Sequence, residues 1–318
     1  MNKEGFLSTA RGILECPTAP FHEDAVAAKI CELLTECPHV RTRFDGFGNI
    51  VATYRRGSRK LRYAFAAHMD HPGFVGGKFL GGVPQTYLEK NSRIEDFGAF
   101  AMWDLPAFEL RDDRIHSRAC DDLIGCAAIV TMFQELERAA TECTCIGIFT
   151  RAEEVGFVGA IELAKSGAIP KTVTIISLET SKELPPAKMG DGPIIRVGDR
   201  TSIFDSDATA TLVSTSAAAE IPHQRCLMSG GTCEATAYQL YGYRCGALTV
   251  ALGNYHNCGP RDRIDPEFVS ADDAWNMSRL CVALARDTRP ASNASRTLRQ
   301  KLERNARDHT RTYQRPNR

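Results

Sequence analysis

Five residues carry the chemistry this chain could do: His68, Asp121, Glu154, Glu179 and His256. Imidazole and carboxylate are ligands that divalent metals favour. Glu153, beside Glu154, adds a carboxylate left over for acid–base work. Suppose two divalent ions bind. The carboxylates of Asp121, Glu154 and Glu179, with one hydroxide, would balance their charge, and the two histidines would complete the coordination without altering the sum. A neutral cluster can be buried in a cleft with little desolvation penalty. The set suits zinc first, with cobalt or manganese as alternatives. An aspartate shared by both ions would hold them roughly 3.5–4 Å apart, the spacing of two-metal hydrolases. Glu153 could take a proton from the attacking water and pass it to the leaving amine. In His68-Met69-Asp70 the aspartate is spaced to accept a hydrogen bond from the second imidazole nitrogen, which would fix the tautomer.

No fragment decides this alone. Adjacent glutamates commonly open a solvated helix, and Asp121-Asp122 at a helix start is commonly an N-cap. The weight comes from the elements that must position them. Residues 61–67 read as a strand ending at His68, and 144–150 as a buried strand just before Glu153-Glu154. Residues 171–178 read as a strand stopping at Glu179, and 246–252 as one feeding the loop with His256. Helices are predicted over 24–36, from Asp121 onward, around 234–241 and near 271–285. The helix after Asp121 carries Ile124, Ala128, Met132 and Leu136 at four-residue intervals. Continuous apolar strands alternating with helices predict an α/β fold, a mostly parallel central sheet flanked by helices. Ligands of such sheets bind beyond the carboxyl ends of the strands, where this set converges. His71 and His116 lack that context, while His223, after Ile221-Pro222 in a loop, is a candidate substrate contact. Residues 72–116, rich in glycine and aromatics, read as a small β-rich inserted module without a helix. The catalytic domain is then 1–71 and 117–287, followed by a basic polar tail over 288–318.

Thirty-nine basic and 39 acidic residues cancel over 318 positions, so no net field favours nucleic acid or an anionic membrane. No apolar run approaches the roughly 20 residues of a membrane span. The first sixteen residues have no sustained apolar stretch, and a cytoplasmic location is expected. Of twelve cysteines, Cys126, Cys143, Cys145, Cys245 and Cys281 lie inside apolar runs, which reads as reduced, buried thiols. The tail has few apolar residues and almost no aromatics to stack on bases, so it reads as a solvated, partly helical segment.

With these motifs in view, the chain resembles the co-catalytic metallo-aminopeptidases, especially the tetrahedral and glutamyl aminopeptidases. Ala67-His68-Met69-Asp70 is similar to that family's first metal motif, Asp121-Asp122 to its bridging-aspartate motif, and Glu153-Glu154-Val155-Gly156 to its base-plus-ligand motif. Glu179 and Tyr255-His256 fall where the remaining ligands belong, and Gly230-Gly231-Thr232 resembles a glycine-rich loop near the active site. The resemblance spans residues 10–287 and implies a zinc exopeptidase-like fold. It implies one ion held by Asp121, Glu154 and His256 and another by His68, Asp121 and Glu179. Glu153 would be base and acid, Asp70 would orient His68, and Thr232 and Tyr255 would lie beside the substrate. A strained, cis peptide bond after Asp121 is also implied. The implied reaction is removal of N-terminal residues from peptides by a metal-bound hydroxide, in a cytoplasmic homo-oligomer.

Two spacings and two departures bear on sub-family. Seventy-seven residues separate Glu179 from His256, little room for the dimerisation domain that related carboxypeptidases and deacylases insert there. Fifty-three separate His68 from Asp121, so the β-rich module that helps the tetrahedral enzymes assemble is shortened. Glu179 stands where aminopeptidases commonly have aspartate, and His71 where an acidic or amide residue is more usual. The alternative is therefore a metal-dependent amidohydrolase, deacylase or carboxypeptidase acting on N-acyl amino acids. A non-catalytic binding protein on the same fold is disfavoured by the complete ligand set.

Overall fold

The computed structural model describes residues 2–289 and 294–312. Helices α1 (Lys3–Leu14) and α2 (Asp24–Leu34) lead into the hairpin of β1 (Val40–Phe44) and β2 (Ile50–Arg56), then β3 (Tyr63–His68). Asp45 builds the hairpin turn, its carboxylate accepting the N–H groups of Phe47, Gly48 and Asn49, each at 2.9 Å. Next come β4 (Gly73–Val75), β5 (Lys78–Leu80), the short helix α3 (Gln85–Lys90), β6 (Ile94–Asp96) and β7 (Phe100–Trp103). These four strands form a separate antiparallel sheet around Phe74, Phe79 and Trp103. Strands β8 (Glu109–Arg111) and β9 (Arg114–Ser117) belong instead to the large sheet, because β9 pairs with β15 (Glu267–Ser270). The segment 72–116 thus contains a helix absent from the sequence reading, and its last strands extend the central sheet.

The rest of the chain alternates: α4 (Leu123–Arg138), β10 (Cys143–Thr150), α5 (Val158–Ser166), β11 (Thr174–Lys182), β12 (Ile194–Gly198), α6 (Ser206–Ala218) and β13 (Gln224–Leu227). Helix α7 (Glu234–Leu240), β14 (Arg244–Gly253), β15, α8 (Ala271–Arg286) and α9 (Ala294–Thr312) complete it. The large sheet runs β1-β2-β10-β3-β11-β14-β15-β9-β8, with β12 and β13 attached beside β14. Its centre, β10-β3-β11-β14, is parallel, and antiparallel strands extend it at both edges. This is the expected α/β architecture.

Buried strand runs follow from helices on both faces. Along β3, Phe65 and Ala67 join the core under α1, α2, α4 and α8, while Ala64 and Ala66 join the core under α5 and α7, the period-two alternation of a strand. Gly147 of β10 lets α4 approach closely: a Cβ there would lie 2.6 Å from Ile129 Cγ2. Thirteen of the sixteen residues of α4 are buried, so this helix is covered nearly all round. All twelve cysteines are unpaired. Among the described residues no helix is long and apolar enough to cross a membrane. Residues 290–293 and 313–318 of the tail lie outside the described residues.

Candidate metal centre

The parallel strands deliver their ligands to one end of the sheet. His68 is the last residue of β3, and Glu153-Glu154 follow β10 after Ala152, which has φ 54°. Glu179 does not end its strand. β11 stays paired with β14 as far as Lys182 but leaves β3 after Ser177, so Glu179 clears the end of β3 while still inside β11. Asp121 stands just before α4 rather than in it, across a cis bond from Asp122, whose side chain caps α4 by accepting from Gly125 N at 3.2 Å. His256 sits in a 3₁₀ turn after β14 with φ 54°, flanked by Asn254 at 53° and Asn257 at 60°. Such left-handed backbone is costly for residues with a side chain and gathers at functional sites.

The side chains meet. His68 Nε2 lies 3.4 Å from Asp121 Oδ1 and 3.9 Å from Glu179 Oε2. His256 Nε2 lies 3.1 Å from Glu154 Oε1 and 3.8 Å from Asp121 Oδ2. Asp121 therefore turns a different oxygen toward each histidine. Two groups offer ligand atoms within 4.8 Å of one another: His68, Glu153 and Glu179, and Asp121, Glu154 and His256. All five candidate ligands fall in these groups, but Asp121 falls only in the second, and Glu153 takes its place beside His68 and Glu179 in the first.

Their supports differ partly from expectation. His68 Nδ1 hydrogen-bonds to the main-chain oxygen of Asp70 at 3.0 Å, while the Asp70 carboxylate is 3.6 Å away. That carboxylate is committed elsewhere: it accepts Glu153 N at 2.9 Å and Glu154 N at 3.1 Å. Asp70 thus aligns His68 through its carbonyl and the glutamate pair through its side chain. His256 Nδ1 bonds to Gly82 O at 3.0 Å, so the four-stranded module orients this ring. Both Nδ1 atoms donate to carbonyls, which leaves Nε2 free toward the cleft. Helix α3 fastens the same loop, with Tyr87 Oη donating to Gly259 O at 2.8 Å. Gly156 has φ 113°, a backbone that favours glycine in the turn after the glutamates. Sequence reasoning missed Glu267, which is fully buried and accepts main-chain N–H groups of Cys120, Asp121 and His256. It also missed Gly82, Asn257, Glu234 and Arg196. A glutamate at the start of a short strand offered no signal of its own.

The electrostatics are those of a site with surplus carboxylate. Burial pushes Glu153 well above the usual carboxylate range against the pull of His68, with Glu179 and Glu154 adding to it. Burial likewise lifts Glu179 to about 8 and Glu234 to about 7. It lifts Glu267 to about 7 and Asp122 well up. Burial also opposes charge on the histidines, but neighbouring carboxylates outweigh it, raising His256 to about 9 and His68 well above normal. Asp121 alone is held low, burial being outweighed by the histidines around it. Metal cations would relieve this crowding. Four buried ligand atoms, Asp121 Oδ1, Glu154 Oε1, Glu179 Oε1 and His256 Nε2, find no hydrogen bond of good geometry, touching only one another and His68 across the cleft. Buried polar atoms are almost always partnered, so these four fit a cation.

A cleft of about 430 Å³ opens over these groups. Thr232 and Tyr255 line it, and Tyr255 stacks on His256 with ring centroids 3.7 Å apart. His223 does not line it; its Nδ1 bonds to Ile221 O at the far end of β13, which parallels β12 and carries only its C-terminal end to the cleft. His116 packs against Phe268. His71 is buried behind the site, hydrogen-bonded to Asp121 O at 2.8 Å and Asn257 Oδ1 at 3.1 Å. Arg196 also lines the cleft, only 2% exposed. Its Nη1 donates to Ser181 Oγ at 3.1 Å, its Nε makes no hydrogen bond, and no carboxylate among the described residues pairs with it.

This fold and this cluster of carboxylates and histidines define a co-catalytic type of metallopeptidase. The profile of the M42 glutamyl aminopeptidase family matches residues 89–267, and the chain belongs to that family. It is thus a metal-dependent aminopeptidase, a hydrolase acting on peptide ends. A protein of Acetivibrio thermocellus named "Putative aminopeptidase" is 26% identical over 82% of this chain and 92% of its own length. Aminopeptidase APDkam598 from the archaeon Desulfurococcus kamchatkensis has a similar fold, with TM-score 0.75 and 21% identity, over 90% of this chain and 96% of that one. So does the Pyrococcus horikoshii TET1 peptidase, described as able to assemble into a tetrahedron or a large octahedral shell. Its TM-score is 0.72 at 21% identity, over 88% of this chain and 99% of that one.

Proposed function

We propose that the chain is a dinuclear metallo-exopeptidase that removes N-terminal residues from peptides and prefers an acidic first residue. His68, Asp121 and Glu179 would hold one ion and Asp121, Glu154 and His256 the other, zinc being the first choice and cobalt or manganese the alternatives. The observation that carries the reading is the set of four buried ligand atoms that face one cleft without a hydrogen bond of good geometry. Bound there, divalent ions would acidify a water and polarise the scissile carbonyl. Glu153 takes the water's proton and delivers it to the leaving amine, a role suited by its place beside the ligands in the cleft. Asp70 fixes Glu153 and Glu154 by their main chain. Thr232 and Tyr255 contact the substrate from the cleft wall. Arg196 offers a buried, unpaired guanidinium to a substrate carboxylate, which costs less to bury once paired. The segment 72–116 acts as a module that seats the His256 loop. A homo-oligomer, a cytoplasmic location and no role for nucleic acid or membrane complete the reading, supported by family membership and zero net charge.

Glu179 and Arg196 also favour a second reading, hydrolysis of N-acyl amino acids, whose free carboxylate would meet the same guanidinium. Glutamyl and leucyl anilides compared with N-acetylglutamate separate the two. Faster cleavage of the glutamyl anilide is expected; turnover of the acetylated compound alone would overturn the exopeptidase reading. Glu153→Gln, folded and metal-loaded, should lose at least about 100-fold in kcat, the low end of general acid–base catalysis.

A further inference from the structure

A carboxylate that touches no substrate stands behind two of the ligands assigned above. Glu267 is the first residue of β15 and is fully buried. Its Oε2 accepts Cys120 N at 2.8 Å and Asp121 N at 3.1 Å, and its Oε1 accepts His256 N at 2.8 Å. One side chain thus ties the segment before α4 to the turn after β14. Those segments have little regular structure to fix them. Asp121 precedes its helix, and His256 sits in a left-handed run of non-glycine residues. The other side of Asp121 is held too, its carbonyl accepting from His71 Nδ1 at 2.8 Å. Only a carboxylate suits this position. It presents acceptors at both ends, whereas an amide would turn its NH₂ toward an N–H group at one of them.

We propose that Glu267 is a positioning residue of the metal centre, pinning the main chains of Asp121 and His256 so that two of the three ligands of one ion are aligned before it binds. The proposal rests on the ligand assignment made above. Ligand-orienting partners of this kind are typically worth 10–100-fold in metal affinity.

The test compares Glu267→Gln with His256→Ala and wild type, each stripped of metal and titrated with Zn²⁺ against a chromophoric chelator. Thermal unfolding of the metal-free proteins is followed in parallel. For Glu267→Gln, binding of the ion held by Asp121, Glu154 and His256 should weaken by about 10- to 100-fold, and that of the other ion, which shares Asp121 but keeps His68 and Glu179, by less. After reloading, kcat should fall more than KM rises. A lowered melting temperature of the metal-free variant with wild-type affinity for both ions would mark a merely structural carboxylate and overturn the proposal. If His256→Ala itself binds both ions as wild type does, the ligand assignment fails rather than the pinning. A second measurement needs no variant. Hydrogen exchange of metal-free wild type should show the amides of Cys120, Asp121 and His256 protected like those of the central strands; fast exchange there would overturn the proposal.

Discussion

Replacing Asp70 by asparagine changes almost no volume and separates two ways the residue could act. The side chain is fully buried and accepts Glu153 N at 2.9 Å and Glu154 N at 3.1 Å. His68 Nδ1 bonds to the Asp70 main-chain oxygen at 3.0 Å, which the substitution leaves in place. Asparagine has one acceptor oxygen, so one of the two N–H groups would face an NH₂ instead. A hydrogen bond to a charged group contributes about 1.5–3 kcal/mol. Taken as the loss of that one bond, the expected cost is about 1.5–3 kcal/mol, or roughly 13- to 160-fold at 1.36 kcal/mol per decade. The loss should appear in kcat/KM for a glutamyl anilide, with metal content measured and metal saturating, because Glu153 is displaced. Activity within about threefold of wild type under those conditions would refute the argument. Full rescue by excess metal would show that Asp70 acts through the ligand Glu154 and not through Glu153.

Three further outcomes follow from the same geometry. Arg196→Leu should lower the glutamyl-to-leucyl ratio of kcat/KM by about 10- to 100-fold, the worth of one charge-assisted contact; an unchanged ratio would remove Arg196 from specificity. Exhaustive chelation should abolish activity reversibly and lower the melting temperature, since ions at about 1,000 times their dissociation constant stabilise by roughly 4 kcal/mol; activity in verified metal-free protein would refute the metal reading. Asp199 is held below its ordinary range, burial being outweighed by hydrogen bonds from Thr236, Thr201, Cys233 and Ser202. Its contribution to stability is present above the unfolded value of 3.8 and is lost as pH falls through the lower folded value. Urea unfolding of Asp199→Ala should therefore show a deficit at neutral pH that narrows in acid; a deficit independent of pH would refute this.

The fold was legible because its signals are local. Apolar runs ending at His68 and before Glu153 report buried parallel strands, and the four-residue spacing from Ile124 to Leu136 reports α4. What was misread depended on partners distant in sequence. Glu179 seemed to end a strand, yet pairing between β11 and β14 carries the strand three residues further while β3 stops earlier. Strands β8 and β9 looked like part of the inserted module because only β15, some 150 residues later, claims them. His223 sat in a plausible loop, but the parallel pairing of β12 with β13 sends it to the wrong end. Arg196 and Glu267 had no motif to betray them, since each acquires its role only by burial beside groups brought from elsewhere.

The two halves of the site are built by different means. His68 ends β3, paired with Thr150 of β10, and Glu179 lies within β11, paired with Thr249 of β14, so the parallel ladders fix their backbones. Asp121, Glu154 and His256 leave irregular segments, and each has its own main-chain N–H held by a buried carboxylate, Asp70 for Glu154 and Glu267 for the other two. Ladder hydrogen bonds are shared among many residues and tolerate single substitutions, whereas a carboxylate pin fails with one atom. The irregular half should therefore respond sharply to changes at Asp70 and Glu267 that leave the strand-built half nearly intact.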